Sequence, residues 1–191
     1  GSFSFQATKT ITTGEGGMII TSDPTLYDKI ALYRSHGMLR KRYYWHEVPG
    51  LNFRLTNLQA ALGCAQLEKL DVIVAARKRL HARYLTAIAG INGVVPQVYK
   101  PHIEPVVWAL AVKLDPKAYP QGRDAVIHQM AEAGIETRPG FYPPSMMSFY
   151  SCPSLTVCEA LSQQVISLPT YPTLKDDQIE YICARLRIVR K

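Results

Sequence analysis

No segment of the 191-residue sequence offers the run of about 20 apolar residues that a helix needs to cross a bilayer. No basic-then-apolar leader opens the chain either. Cysteines are few, and the four present (Cys64, Cys152, Cys158 and Cys183) include no CxxC pair and no histidine at ligand spacing. That argues against a zinc site and a disulfide framework, and makes a reducing compartment, the cytoplasm, the expected address. Acidic residues are in deficit: 15 Asp and Glu face 22 Lys and Arg, for a net charge of +7. Part of the excess gathers at Arg34, Arg40, Lys41 and Arg42, but no nucleic-acid-binding motif surrounds it, so neither a nucleic-acid nor a membrane partner is expected. Two readings stay open: a surface that attracts an anionic ligand, or one part of a larger protein whose charge balances elsewhere. The opening Gly1-Ser2, with no initiator Met, leaves room for a trimmed end.

What is present reads as a globular α/β chain. Residues 3–8 (FSFQAT) and 17–21 (GMIIT) predict two strands joined by the glycine-rich turn Thr12-Thr13-Gly14-Glu15-Gly16-Gly17. Ser22-Asp23-Pro24 caps a helix over about 24–35, expected to bury Leu26, Ile30 and Tyr33 and to end at Gly37. Residues 38–55 form an irregular stretch rich in Arg, Tyr, Trp and His, the kind of loop that tends to carry function. Thr56 with Gln59 is a capping box for a long helix bearing Leu58, Ala61, Leu62, Ala65 and Leu70 and running to near Gly90. Beyond it the pattern predicts strands over 94–96, 106–114 and 135–138. Helices are predicted over 122–133 and 154–165, with a last one introduced by Thr173 and Asp176. This alternation places a division near residue 90, giving domains 1–90 and 91–191.

Lys9 stands between a β-type run and a glycine-rich turn. A lysine kept in a dry pocket becomes a neutral nucleophile able to form a Schiff base, although a lysine at a strand end is ordinarily a surface residue. The surrounding string shifts the balance toward the first. Ser4-Phe5-Gln6-Ala7-Thr8-Lys9, followed by Thr10-Ile11-Thr12-Thr13-Gly14-Glu15-Gly16-Gly17-Met18, closely resembles the active-site lysine segment of the DegT/DnrJ/StrS-type sugar aminotransferases. These are fold-type I enzymes of pyridoxal 5'-phosphate (PLP). The likeness continues through Tyr44-Trp45-His46, Gly50-Leu51-Asn52-Phe53-Arg54-Leu55-Thr56-Asn57, Glu136-Thr137-Arg138-Pro139, Phe141-Tyr142-Pro143 and Leu168-Pro169-Thr170-Tyr171-Pro172. Several such strings in order and spacing make a strong signal.

The resemblance implies a fold: the C-terminal part of a type I PLP-dependent transferase, with the last strands of the large domain, a long linking helix and a small α+β domain. It implies an activity, transfer of an amino group from glutamate to a nucleotide-linked 4-keto-6-deoxy sugar. The KTITTGEGGM string points to the branch that aminates a GDP-linked sugar. It implies Lys9 as the Schiff-base lysine, Ser4 as a phosphate ligand, and Asn52 as a donor to the cofactor phosphate across a homodimer interface. Arg54 would either pair with a substrate phosphate or pin its loop. Arg42, Tyr44 and His46 would line the sugar-nucleotide cleft, with Arg138 and Tyr142 from the small domain. Two positions depart from the family pattern: Gln6, where many members have His or Tyr, and Ser145, near where a histidine is usual. The carboxylate for the pyridine nitrogen and the ring-stacking aromatic come, in the family, from a first half that this chain does not contain. The chain alone is therefore expected not to transaminate, and to need that half or a second copy. The competing reading is a truncated, non-catalytic relative serving in dimerisation or sugar-nucleotide binding.

Overall fold

In a strand order of β3-β4-β6-β5, the pair at the middle carries the densest apolar alternation in the chain. These strands are Val94–Pro96 (β3), Leu110–Leu114 (β4), Arg138–Pro139 (β5) and Val165–Leu168 (β6), all antiparallel to their neighbours. The computed structural model describes residues 1–189. Leu110, Val112 and Leu114 of β4 and Ile166 and Leu168 of β6 point to one face and are buried, as a period of two requires. Three helices supply the other side of this core. Helix α3 (Leu70–Ile88) contributes Leu80, Tyr84 and Ile88, α4 (Gly122–Glu132) contributes Val126 and Met130, and α6 (Asp176–Ile188) contributes Ile179, Ile182, Cys183 and Leu186.

Two phenols inside the core are paired. Tyr84 donates its hydroxyl to the Pro169 carbonyl at 2.9 Å and Tyr119 donates to the Leu186 carbonyl at 3.0 Å. Burial pushes the Tyr84 phenol well above its usual range and the Cys183 thiol up to about 11. Helix α4 ends where the sequence places its stop. Gly134 takes a φ of +75°, its N–H donates to Ala131, and the Ile135 N–H reaches back to Met130 at 2.9 Å, which satisfies carbonyls the helix leaves bare.

The chain divides into two compact units, residues 1–72 and the portion from Ile73 onward. The sequence places this division near residue 90. The difference has a simple cause: Leu80, Tyr84 and Ile88 belong to the second unit's core, so most of α3 folds with the C-terminal strands and helices. The single long helix is also two, α2 (Asn57–Leu67) and α3. Between them the Lys69 N–H bonds to Gln66 three residues back, tightening the backbone out of α-helical register. Strand β6 lies where the sequence predicts only the tail of a helix; that helix, α5, stops at Thr156–Ser162. The last helix starts later than its threonine suggests, with Lys175 at the cap donating to Gln178 Oε1 at 2.9 Å.

The first unit is built differently. Strands β1 (Ser2–Ser4) and β2 (Gly17–Ile19) pair antiparallel, and α1 (Pro24–Arg34) is capped by Asp23 Oδ1, which accepts from Thr25 and Leu26. No apolar side chain larger than a methyl group is buried there among the described residues. Leu26 and Tyr33, expected inside, are 45% and 51% exposed, as are Phe3, Met18, Ile19, Ile20, Leu58 and Leu62 to similar or greater degree. A two-stranded ribbon is too small to cover a helix's apolar stripe. Among the described residues no helix is long and apolar enough to cross a membrane, and no acidic, histidine and cysteine cluster could hold a metal.

Candidate active site

Residues 5–16 close on themselves into a loop, with Lys9 near its far end. The Phe5 N–H donates to Gly16 O at 2.9 Å, and Phe5 O accepts from both the Thr13 N–H and the Thr12 hydroxyl. The buried Thr13 hydroxyl donates to Glu15 O at 2.8 Å. The capping-box residue Gln59 accepts from the Thr56 N–H, and its Nε2 donates to Glu15 O at 3.2 Å. One side chain thus opens α2 and clamps the glycine loop. Gly16, at a φ of +142°, lies so close to Leu55 and Thr13 that a Cβ would collide with both. Lys9 itself is half-buried, and its N–H donates to Gln6 O at 2.9 Å.

Gln6 enters the sequence reading only as a departure from the family pattern, yet it has a structural task. Its Oε1 accepts from the Thr8 N–H at 3.0 Å and the Thr8 hydroxyl at 2.7 Å, while its N–H faces the Ser4 hydroxyl at 3.4 Å. Gln6 therefore braces the turn that carries Lys9 and links it to Ser4, which is exposed. The signal was the Gln-x-Thr-Lys spacing, since a side-chain acceptor two residues before a threonine can hold a turn.

The loop after α1 is held by backbone, not by a core. His36 and Gly37 both take positive φ, +61° and +66°, and Gly37 N–H returns to Leu32 O. The Leu51 and Phe53 N–H groups bond back to Tyr33 and Arg34, bringing Asn52 beside the end of α1. There Asn52 Oδ1 accepts from Arg54 Nε at 3.1 Å. A guanidinium has no acceptor, so the amide must turn its oxygen to Arg54 and its NH2 the other way. Arg54 thus bonds an amide of its own loop, not a carboxylate. Arg42 stacks on the Trp45 ring at 3.8 Å, His46 Nδ1 lies 2.7 Å from His36 O, and Tyr44 is 88% exposed at a φ of +62°. His36, His46, Glu47 and Gly50 border an open depression of about 470 Å³.

A Cβ at Gly37 would overlap the Val48 carbonyl oxygen. Gly37→Ala must pay for left-handed backbone, about 1 kcal/mol, as well as that overlap. Trypsin cleavage at Arg40, Lys41 and Arg42 should then accelerate about tenfold or more. An unchanged rate would show that the loop is not held at this glycine.

In the second unit, Arg138 donates through Nε and Nη2 to Glu136 Oε1, at 3.1 and 2.9 Å, and is exposed. The Tyr142 oxygen accepts from Arg123 Nη2 at 2.8 Å. Arg123 is buried, and its Nη1 donates to Ser162 O and its Nε to Asp124. Burial works against its charge, but the hydrogen bonds to Asp124 and Tyr142 prevail and raise its pKa. Sequence reasoning missed this residue. The available signal was a cation in the first turn of α4, where the helix dipole opposes it. Ser145 donates to Glu159, which also accepts from Ser154 and the Leu155 N–H and is held below its usual range by those bonds.

The match to known proteins covers almost all of this. Residues 1–187 fit the model of the DegT/DnrJ/EryC1/StrS aminotransferase family. The chain belongs to that family. It is 39% identical to GDP-perosamine synthase of Escherichia coli O157:H7 over 185 residues, covering 95% of this chain and 49% of the relative. It is also 39% identical to GDP-perosamine synthase of Caulobacter vibrioides over 191 residues, covering 96% and 50%. Among solved structures, DesI in the presence of its TDP-sugar product superposes with a TM-score of 0.88 at 27% identity, over 99% of this chain and 49% of that one. The chain spans about half the length of the curated relatives it matches. The fold is thus part of the sugar-aminotransferase fold.

Proposed function

We propose that this chain supplies the lysine-bearing part of a PLP-dependent aminotransferase that uses glutamate to aminate a nucleotide-linked 4-keto-6-deoxy sugar, the nucleotide being GDP. The exchange balances as glutamate and keto-sugar giving 2-oxoglutarate and amino-sugar. The observation that carries the reading is the closed loop 5–16, which holds Lys9 half-buried on a braced turn within a family defined by aminotransferases. When bound, PLP supplies an electron sink for the carbon that loses its proton. Lys9 would hold the cofactor through its ε-nitrogen and move the proton at the reacting carbon. Ser4 would donate its hydroxyl to the cofactor phosphate. The Asn52 NH2, turned away from Arg54, suits a phosphate acceptor of a second subunit's cofactor, adding donors without adding charge.

Arg42, Tyr44 and His46 are our assignments for the sugar nucleotide, with Arg54 orienting Asn52; from the second unit we assign Arg138 and Tyr142. We take residues 1–90 as part of the large, cofactor-binding domain and its linking helix, whose α3 portion packs in the core of the second unit, and 91–191 as the small domain, in a cytoplasmic enzyme. The apolar face of the first unit, with Met18, Ile19 and Ile20 half-exposed on and beside β2, fits burial against the rest of the polypeptide or a second subunit.

The test is reductive trapping. Borohydride treatment of the complete, PLP-loaded protein should place a pyridoxyl label on the peptide containing Lys9. A label elsewhere, or none, overturns the reading, and nucleotide-sugar binding without a label would leave the non-catalytic relative. Asn52→Asp keeps the acceptor for Arg54 but faces the phosphate with a negative charge. It should weaken PLP binding in a spectroscopic titration by about tenfold or more, whereas an unchanged affinity would remove Asn52 from the phosphate site.

A further inference from the structure

We infer that Arg123 is a positioning residue that turns Tyr142 into a charge-assisted donor for the diphosphate of the nucleotide sugar; this rests on the function proposed above. Three elements meet at its guanidinium. Nε bonds Asp124 in the first turn of α4, Nη1 bonds the Ser162 carbonyl at the end of α5, and Nη2 bonds the Tyr142 hydroxyl. With the side chain 1% exposed, it cannot reach a ligand in solution. Tyr142 can, being 43% exposed.

The direction of the hydrogen bond decides what Tyr142 can do. Arginine only donates, so the phenol oxygen must accept, and its own hydrogen must point elsewhere. Donation from a cation polarises the O–H, and a polarised donor gains most from an ionised acceptor. The Arg123 carbon also sits 5.2 Å from the Tyr142 ring centroid, so the ring is gripped as well as its oxygen. Asp124 offsets part of the charge, but its side chain is 76% exposed and solvent screens it. A buried cation thus reaches the surface through one hydroxyl. The oxygen it suits is anionic, and in this substrate class that is the diphosphate, not the neutral keto group.

Calorimetric titration of GDP into the complete protein tests this with four species: the parent, Tyr142→Phe, Arg123→Lys and the double variant. Tyr142→Phe should weaken GDP binding about tenfold with little change in melting temperature. Arg123→Lys should weaken it similarly, and the double variant should be no worse than Tyr142→Phe alone. An unchanged GDP affinity in Tyr142→Phe, or losses that multiply in the double variant, would overturn the inference. A parent protein that takes the pyridoxyl label on Lys9 but binds no GDP would also overturn it while leaving the cofactor reading intact. GDP binding without that label would do the reverse.

Discussion

In the complete, PLP-loaded protein, Lys9→Ala should abolish the borohydride-trapped label and lower the proposed glutamate-dependent amination by more than about a thousandfold. Only the amine matters to this expectation. A proton at carbon must be moved by a positioned base, and Lys9 is the amine that the closed loop holds at its turn. Lys9→Arg separates nucleophile from charge. Arginine stays protonated at any working pH and cannot condense with an aldehyde, so it should fail as fully as alanine. The loop should stay closed in both, because bonds through Phe5, Thr12, Thr13 and Gly16 hold its two ends together. Retention of even a tenth of the turnover by Lys9→Arg would move the chemistry to another residue.

The largest stability effect should come from Ile166→Ala. Ile166 is fully buried, on β6 between β4 and β5, and faces the helices of the second unit. Truncation there leaves a cavity among side chains fixed by three helices, and costs about 3 kcal/mol. In a unit of this size the melting temperature should fall by roughly ten degrees. Val95→Ala is the matched control, since Val95 lies on edge strand β3 and is 45% exposed; it should cost less than about 0.5 kcal/mol. Equal shifts for the two would mean that β6 is not the centre of this core.

Local chemistry was readable wherever a few adjacent residues settle the conformation. Asp23-Pro24 opens α1, Thr56 and Gln59 form the capping box of α2, and Gly134 stops α4 through its left-handed backbone. The glycine-rich turn after Lys9 was readable for the same reason, with Gly14 and Gly16 at positive φ. Strand β6 was not. Four residues, Val165–Leu168, carry too little periodicity to separate a strand from the end of a helix, and only pairing with β4 on one side and β5 on the other makes them one.

By itself the sequence determined the family, through contiguous strings, and the caps of α1 and α2 and the stop of α4, because each of these depends on residues within a turn of one another. The tertiary structure alone decided that α3 folds mainly with the C-terminal unit. It also decided that Gln59 reaches back 44 residues to the glycine loop, and that a buried arginine holds Tyr142. Those facts rest on which distant groups burial and hydrogen-bond demand bring together, and spacing along a chain carries no trace of that.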